Sequence, residues 1–300
     1  MTGRDRDPLD RQQIADLTRQ LMAIESHCEG VGRETRVGRF LAGWFNERGI
    51  TASLQPVDGE RANVIARIPG QGGPSLQWNG HLDTVPAGDM PDAFTPRIDG
   101  GTLWGRGACD MKGAIAAMAH AMVAISEERT GPLLGDLVFT GTVDEESGSL
   151  GAKALVDAGM TTSYAVVGEP TRLRIAVAHK GSCFVRVRLF GRGAHGSCPE
   201  RGVNAASFAA RIVTALEGPL HHRLERRTYP LLGRSTVSVG RLCGGTQANI
   251  VAETCEIEID RRYLPSEASP VPEIRELVAA VCDGVDGLTY DVSELPMTSV

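Results

Sequence analysis

The spacing of apolar residues divides the chain into helices and strands before any chemistry is considered. Leu9, Ile14, Leu17, Leu21 and Met22 recur near helical period and predict an amphipathic helix over 9–23, with Asp7 and Pro8 as cap and first position. Val37, Phe40, Leu41, Trp44 and Phe45 predict a second helix over 34–48, stopped by Gly49, and an extended segment begins at Ile50. Strands are expected over 63–68 and 76–78. Residues 113–126 are rich in Ala, Met and Ile on every face, the pattern of a helix buried against a sheet. Short β-branched runs at 137–143 and 164–167 flank a helix over 150–158. Strands alternating with helices predict an α/β fold with a doubly wound, mostly parallel sheet, whose working edge lies at the carboxyl ends of its strands.

Beyond Pro170 the order changes. Strands at 173–178 and 182–190, a helix near 204–216, strands at 235–241 and 253–262, a helix near 272–282 and a strand at 288–292 predict a separate α+β domain with an antiparallel sheet. The boundary falls near Thr171, giving a first domain over 1–171, a second over 172–295, and a stub over 296–300 returning toward the first. The stretch 218–233, with Pro219, Pro230, Arg223, Arg226 and Arg227, reads as a solvated connection.

Composition narrows the partners. At 300 residues, 42% hydrophobic and 23% charged, the chain has the make-up of an ordinary two-domain globular protein. A net charge of −6 without a Lys/Arg block argues against nucleic acid and anionic membrane, and points to small molecules. The first ten residues are polar, and no apolar run approaches a membrane span, so a cytoplasmic protein is expected. Seven cysteines (28, 109, 183, 198, 243, 255 and 282) without CxxC spacing fit reduced thiols better than disulfides or cysteine-ligated zinc.

Four acidic or imidazole clusters each follow a predicted strand: His81 and Asp83, then Asp110, then Asp144-Glu145-Glu146, then Glu169. Taken singly, each reads as a structural histidine or a solvated turn. Their convergence at one sheet edge points to a metal site of hard oxygen and imidazole donors. His81 and Asp83 are two apart and share a side of an extended segment, so the Asp83 carboxylate can accept the imidazole's second N–H and orient it. Adjacent Glu145 and Glu146 point apart, which lets one bind metal while the other moves protons. Cys109 is expected to be a small buried residue, not a ligand.

The strings His81-Leu82-Asp83-Thr84-Val85-Pro86, Gly105-Arg106-Gly107-Ala108-Cys109-Asp110-Met111-Lys112-Gly113, Asp144-Glu145-Glu146-Ser147-Gly148 and Gly168-Glu169-Pro170-Thr171 resemble those of the M20 metallopeptidase family. The resemblance implies two zinc (or cobalt) ions, one held by His81, Asp110 and Glu169, the other by Asp110 and Glu146. Glu145 would be the general base and Asp110-Met111 a cis peptide bond. It further implies that residues 172–295 form a lid and homodimer domain, whose His195 stabilises an oxyanion in the partner's site while Asn249 and Arg262 hold a substrate carboxylate. A small N-acylated amino acid or a dipeptide is the implied substrate. Relatives supply a last histidine to the second ion from further strands and helices that complete the catalytic sheet. No residue of this chain matches that histidine, so an incomplete catalytic sheet and second site are expected. The alternative from a different class is a catalytically impaired, dimer-forming or ligand-binding protein.

Overall fold

The computed structural model describes residues 10–27, 29 and 32–295, and divides after Arg174 into two compact units. The expected cap residues Asp7 and Pro8, Cys28 and the stub at 296–300 lie outside the described residues.

In the first unit, α1 (Arg11–Met22) starts at Asp10, whose carboxylate accepts the Gln12 N–H at 2.8 Å. It is followed by α2 (Thr35–Asn46), β1 (Thr51–Asp58), β2 (Arg61–Ile68), β3 (Leu76–His81), a short hairpin of β4 (Arg97–Asp99) and β5 (Thr102–Trp104), α3 (Gly113–Glu128), β6 (Leu137–Thr142), α4 (Leu150–Asp157) and β7 (Tyr164–Val167). The main sheet has the order β1-β2-β6-β3-β7. β6, β3 and β7 are mutually parallel, while β2 is antiparallel to both β1 and β6, so β2 alone of the five runs in reverse. Leu17, Leu21, Leu41, Phe45 and Phe139 lie in the core of this unit.

The segment Ala108–Glu128 is long and apolar enough to cross a membrane, which corrects the expectation that no run approaches that length. Within it, Ala108–Lys112 is a separate turn with non-helical dihedrals at Asp110 and Met111. α3 itself has 16 residues, about 24 Å of rise, short of the roughly 30 Å of a bilayer core. Its apolar content serves packing: Ile115, Ala116, Ala119, Met122 and Val123 are buried. Gly80 on β3 lets this helix approach closely: a Cβ there would meet Met111 Cε at 2.9 Å and Ile115 Cγ1 at 3.0 Å, and those side chains would have to shift.

In the second unit, β8 (Gly181–Phe190), α5 (Ala205–Ala215), α6 (His221–Leu224), β9 (Thr228–Tyr229), β10 (Gly233–Arg234), β11 (Thr236–Gly244), β12 (Thr254–Tyr263), α7 (Pro270–Cys282) and β13 (Thr289–Leu295) follow in order. A four-stranded antiparallel sheet, β11-β12-β8-β13, packs its buried face against α5 and α7 around Val185, Val187, Ile212, Ile257, Ile274 and Val278.

Two expectations are corrected. The predicted strand at 173–178 does not form; Leu173, Ile175 and Val177 are exposed, and this segment carries the division between the units. Its alternation satisfies the strand period, but no described strand pairs with it. Stretch 218–233 is more than a solvated connection. It takes up the end of a helical turn at Leu216–Leu220, then α6 and the β9–β10 hairpin, and its Leu220 and Leu224 enter the core.

Candidate metal centre

The three parallel strands deliver their carboxyl ends side by side, with β3 between β6 and β7. His81 ends β3, Asp144, Glu145 and Glu146 follow β6, and Glu169 follows β7 by two residues. Asp110 arrives from the turn ahead of α3, and its peptide bond to Met111 is cis. The side chain of Met111 lies under the site, where its sulfur accepts the His81 N–H at 3.2 Å.

His81 is almost fully buried. Its Nδ1–H donates to the Asp83 carbonyl oxygen at 3.0 Å, which leaves Nε2 facing Asp110 Oδ1 at 2.9 Å and Glu169 Oε1 at 3.9 Å. This corrects the expected route of orientation: the nearest Asp83 carboxylate oxygen is 3.5 Å from Nδ1, and the carbonyl is the acceptor. The Asp83 carboxylate, buried as well, accepts the backbone N–H groups of Glu145 at 3.2 Å and Glu146 at 2.9 Å. One aspartate therefore sets both the imidazole, through its carbonyl, and the glutamate pair, through its carboxylate.

Ligand atoms of His81, Asp110 and Glu146 all lie within 4.8 Å of one another. Glu145 is beside this group and outside it, and Cys109, expected to be buried, is exposed and also outside it. The exposure of Cys109 follows from the turn, which faces Met111 and Lys112 inward.

The electrostatics are those of carboxylates gathered around one imidazole: the bond from His81, with Arg106 adding to it, lowers the Asp110 carboxyl. Burial opposes a charge on His81, but its bonds to Asp110 and Asp83 outweigh this and push its pKa up to about 11. Burial, with neighbouring carboxylates adding to it, raises Glu145, Glu169 and Glu146, the last to about 7. A divalent ion would meet an imidazole nitrogen and several carboxylate oxygens, donors suited to zinc or cobalt.

The remaining candidates belong to the second unit. His195 pairs through its backbone with Ile250, and the Gly196 N–H donates to the Asn249 carbonyl at 2.7 Å, so His195 and Asn249 occupy neighbouring loops. His195 Nδ1 accepts the Ser197 N–H at 3.2 Å and lies 2.8 Å from the Ser197 hydroxyl, which leaves Nε2 to carry the proton. Arg262 is on β12 and donates from Nε at 3.2 Å and from Nη2 at 3.0 Å to Asp260 Oδ2, a surface ion pair on a strand.

Sequence reasoning missed two residues beneath the site. Arg61, at the start of β2, and Glu34, just before α2, form a buried ion pair that also grips Asp144. A charged residue at the edge of an element reads as solvent-facing. Only the motif aspartate Asp144, left without a ligand role, hinted that something buried answered it.

The model of the peptidase family M20/M25/M40 matches residues 78–299. Acetylornithine deacetylase of Pectobacterium carotovorum is 34% identical over 238 residues, covering 75% of this chain and 60% of that protein. Acetylornithine deacetylase of Erwinia tasmaniensis is 34% identical over 264 residues, covering 85% and 67%. The chain thus spans about 60% of the length of the first of these curated relatives. Among solved structures, aminopeptidase PepT of Bacillus cereus superposes with a TM-score of 0.69 at 24% identity, covering 97% of this chain and 77% of that one. Human carnosine dipeptidase 1 superposes with a TM-score of 0.68 at 16% identity, covering 96% and 78%; both share the fold.

Proposed function

Since the chain belongs to the peptidase family M20/M25/M40, we propose that it is a metal-dependent amidohydrolase. Its reaction would remove an acyl group from a small N-acyl amino acid or cleave a dipeptide. The observation that carries this reading is the meeting of His81, Asp110 and Glu146 within 4.8 Å at the carboxyl ends of parallel strands, with Glu145 beside them. Relatives named as acetylornithine deacetylases favour the N-acyl amino acid, and the neighbour named as carnosine dipeptidase favours the dipeptide.

Ligand atoms of His81, Asp110 and Glu146 form one candidate group; in this reading His81, Asp110 and Glu169 would hold one zinc or cobalt ion, and Asp110 and Glu146 would hold a second whose ligand set is incomplete in this chain. Ions bound there supply Lewis acidity toward the acyl carbonyl and make water a nucleophile near neutral pH. The chain's own residues do the rest. His81 is held as the Nδ1–H tautomer by the Asp83 carbonyl, so its Nε2 lone pair is presented to the site. Glu145, its carboxyl pKa raised by burial, takes the proton of the attacking water and returns it to the leaving amine. His195 would stabilise the oxyanion from a partner subunit in a homodimer built on residues 172–295. Asn249 and Arg262 would hold a substrate carboxylate, Arg262 exchanging Asp260 for it.

The test is a panel of N-acetyl amino acids, N-succinyl amino acids and dipeptides, assayed on the purified chain with zinc or cobalt. One class should be hydrolysed, with activity lost to a chelator and restored by metal. Metal-loaded protein that turns over none of them would favour the catalytically impaired, ligand-binding alternative.

A further inference from the structure

We propose that Arg61 and Glu34 are positioning residues for the turn that carries Glu145 and Glu146, acting through Asp144 from beneath the site. The catalytic consequence rests on the function proposed above; the structural claim does not.

Neither the Glu145 nor the Glu146 carboxylate accepts a hydrogen bond from any described residue, so their placement depends on how their backbone is held. From one side it is held by the Asp83 carboxylate, which takes both of their N–H groups. From the other side Asp144 organises the whole turn. Its carbonyl accepts the N–H groups of Gly148 at 2.9 Å and Ser149 at 2.5 Å. Its carboxylate accepts the Ser147 hydroxyl at 2.6 Å and the Leu150 N–H at 3.3 Å. Asp144 adopts φ +71°, a left-handed conformation that a non-glycine residue keeps only when its surroundings impose it.

What imposes it is a buried triad drawn from three separate elements. The Arg61 fork meets both Glu34 oxygens, Nε to Oε2 at 3.0 Å and Nη2 to Oε1 at 2.7 Å. The same Nη2 donates to Asp144 Oδ1 at 2.7 Å, and the Asp144 N–H donates to Glu34 Oε1 at 3.1 Å. Side-chain exposures of 7%, 0% and 3% for Arg61, Glu34 and Asp144 place all three out of water. Asn63, two residues along β2 and on the same side, closes the clamp: its Oδ1 accepts the Val143 N–H at 3.1 Å and its Nδ2 donates to the Gly151 carbonyl at 2.8 Å. Gly151 is required there, since a Cβ would meet Asn63 Oδ1 and the Val143 backbone at 2.5 Å.

A buried triad of this kind is a poor source of stability, because desolvating three charges offsets most of their attraction. What it does supply is geometry, a planar fork with fixed directions to two carboxylates.

The experiment compares Arg61→Lys and Glu34→Gln with the wild type. Lysine keeps the charge but cannot fork, and glutamine keeps one acceptor; if Arg61→Lys fails to fold, Glu34→Gln carries the comparison. Amide hydrogen exchange is read on the metal-free protein, so neither activity nor metal enters it. Exchange at residues 145–150 should quicken by about tenfold or more while the β6 amides keep wild-type rates. In active protein kcat should fall by about 10- to 100-fold with KM little changed, the size of effect seen for residues that orient a metal site's ligands. Wild-type exchange at 145–150 in folded variants would overturn the proposal, as would quickening spread equally over β6, the mark of global destabilisation. Absence of amidase activity in the wild type would count against the proposed function alone.

Discussion

At the scale of single residues, Glu145 and Glu146 are neighbours to which the proposed function gives separate duties. Glu146 belongs to the group of ligand atoms around His81 and Asp110, and Glu145 does not. Glu145→Gln should therefore lower turnover by about 10²- to 10⁴-fold, the range typical of a lost general acid–base, while bound zinc measured on the same preparation stays at the wild-type level. Glu146→Gln should do the reverse to binding: metal affinity drops by at least about tenfold, and added metal recovers part of the activity. If Glu145→Gln loses metal and Glu146→Gln keeps it, the two roles are exchanged. In the residue pattern the separation was legible as adjacency, since consecutive side chains diverge, and the family resemblance assigned the base to Glu145 and the ligand to Glu146. The structure puts Glu146 in the ligand group, and the positive φ of Asp144 just before the pair is a feature that the residue pattern did not reveal.

At the scale of elements, the second unit is tied by a charged cluster between β12 and α7. Arg261 is 1% exposed and donates to Glu267 at 2.9 Å, while Arg227 meets Glu267 at 2.8 Å and Glu273 at 2.7 Å. Burial works against the Glu267 charge, but the Ser235 hydroxyl, Arg227, the Leu264 N–H and Arg261 outweigh it and hold the carboxyl at about 2 against an ordinary 4.5. A folded pKa below the unfolded one means stability present above about pH 4.5 and lost as pH falls toward 2. Calorimetric melting of Glu267→Gln should show a loss on the order of 3 kcal/mol at pH 7 that shrinks toward zero near pH 2. An equal loss at both pH values would remove the carboxylate's charge from the account. The sequence hid this cluster because Arg223, Arg226 and Arg227 sit among prolines and read as a solvated loop, whereas the leucines at 216, 220 and 224 keep a helical four-residue spacing through Pro219. Strands whose neighbours were themselves strongly patterned, such as 164–167, are found where the sequence puts them. The alternation at 173–178 shows the converse, because a period describes a strand's faces and cannot supply its partner.

At the scale of the whole chain, the candidate metal centre and the sheet that carries it belong to the first unit, and each unit has its own hydrophobic core. All three tryptophans, Trp44, Trp78 and Trp104, lie in that first unit, which gives it an intrinsic reporter that the second unit lacks. A metal that binds only the folded site stabilises it by RT ln(1 + [L]/Kd), about 2.7 kcal/mol at a hundredfold excess over Kd. Zinc or cobalt should therefore raise the unfolding midpoint reported by tryptophan fluorescence, and slow amide exchange in β3 and β6. Exchange in β8 and β12, whose packing is internal to the second unit, should change much less. His81→Ala should abolish the fluorescence shift without removing either core, because the imidazole supplies the single nitrogen donor of the ligand group. A metal-induced shift that survives His81→Ala, or that protects β8 and β12 as much as β3 and β6, would place the ion elsewhere in the molecule.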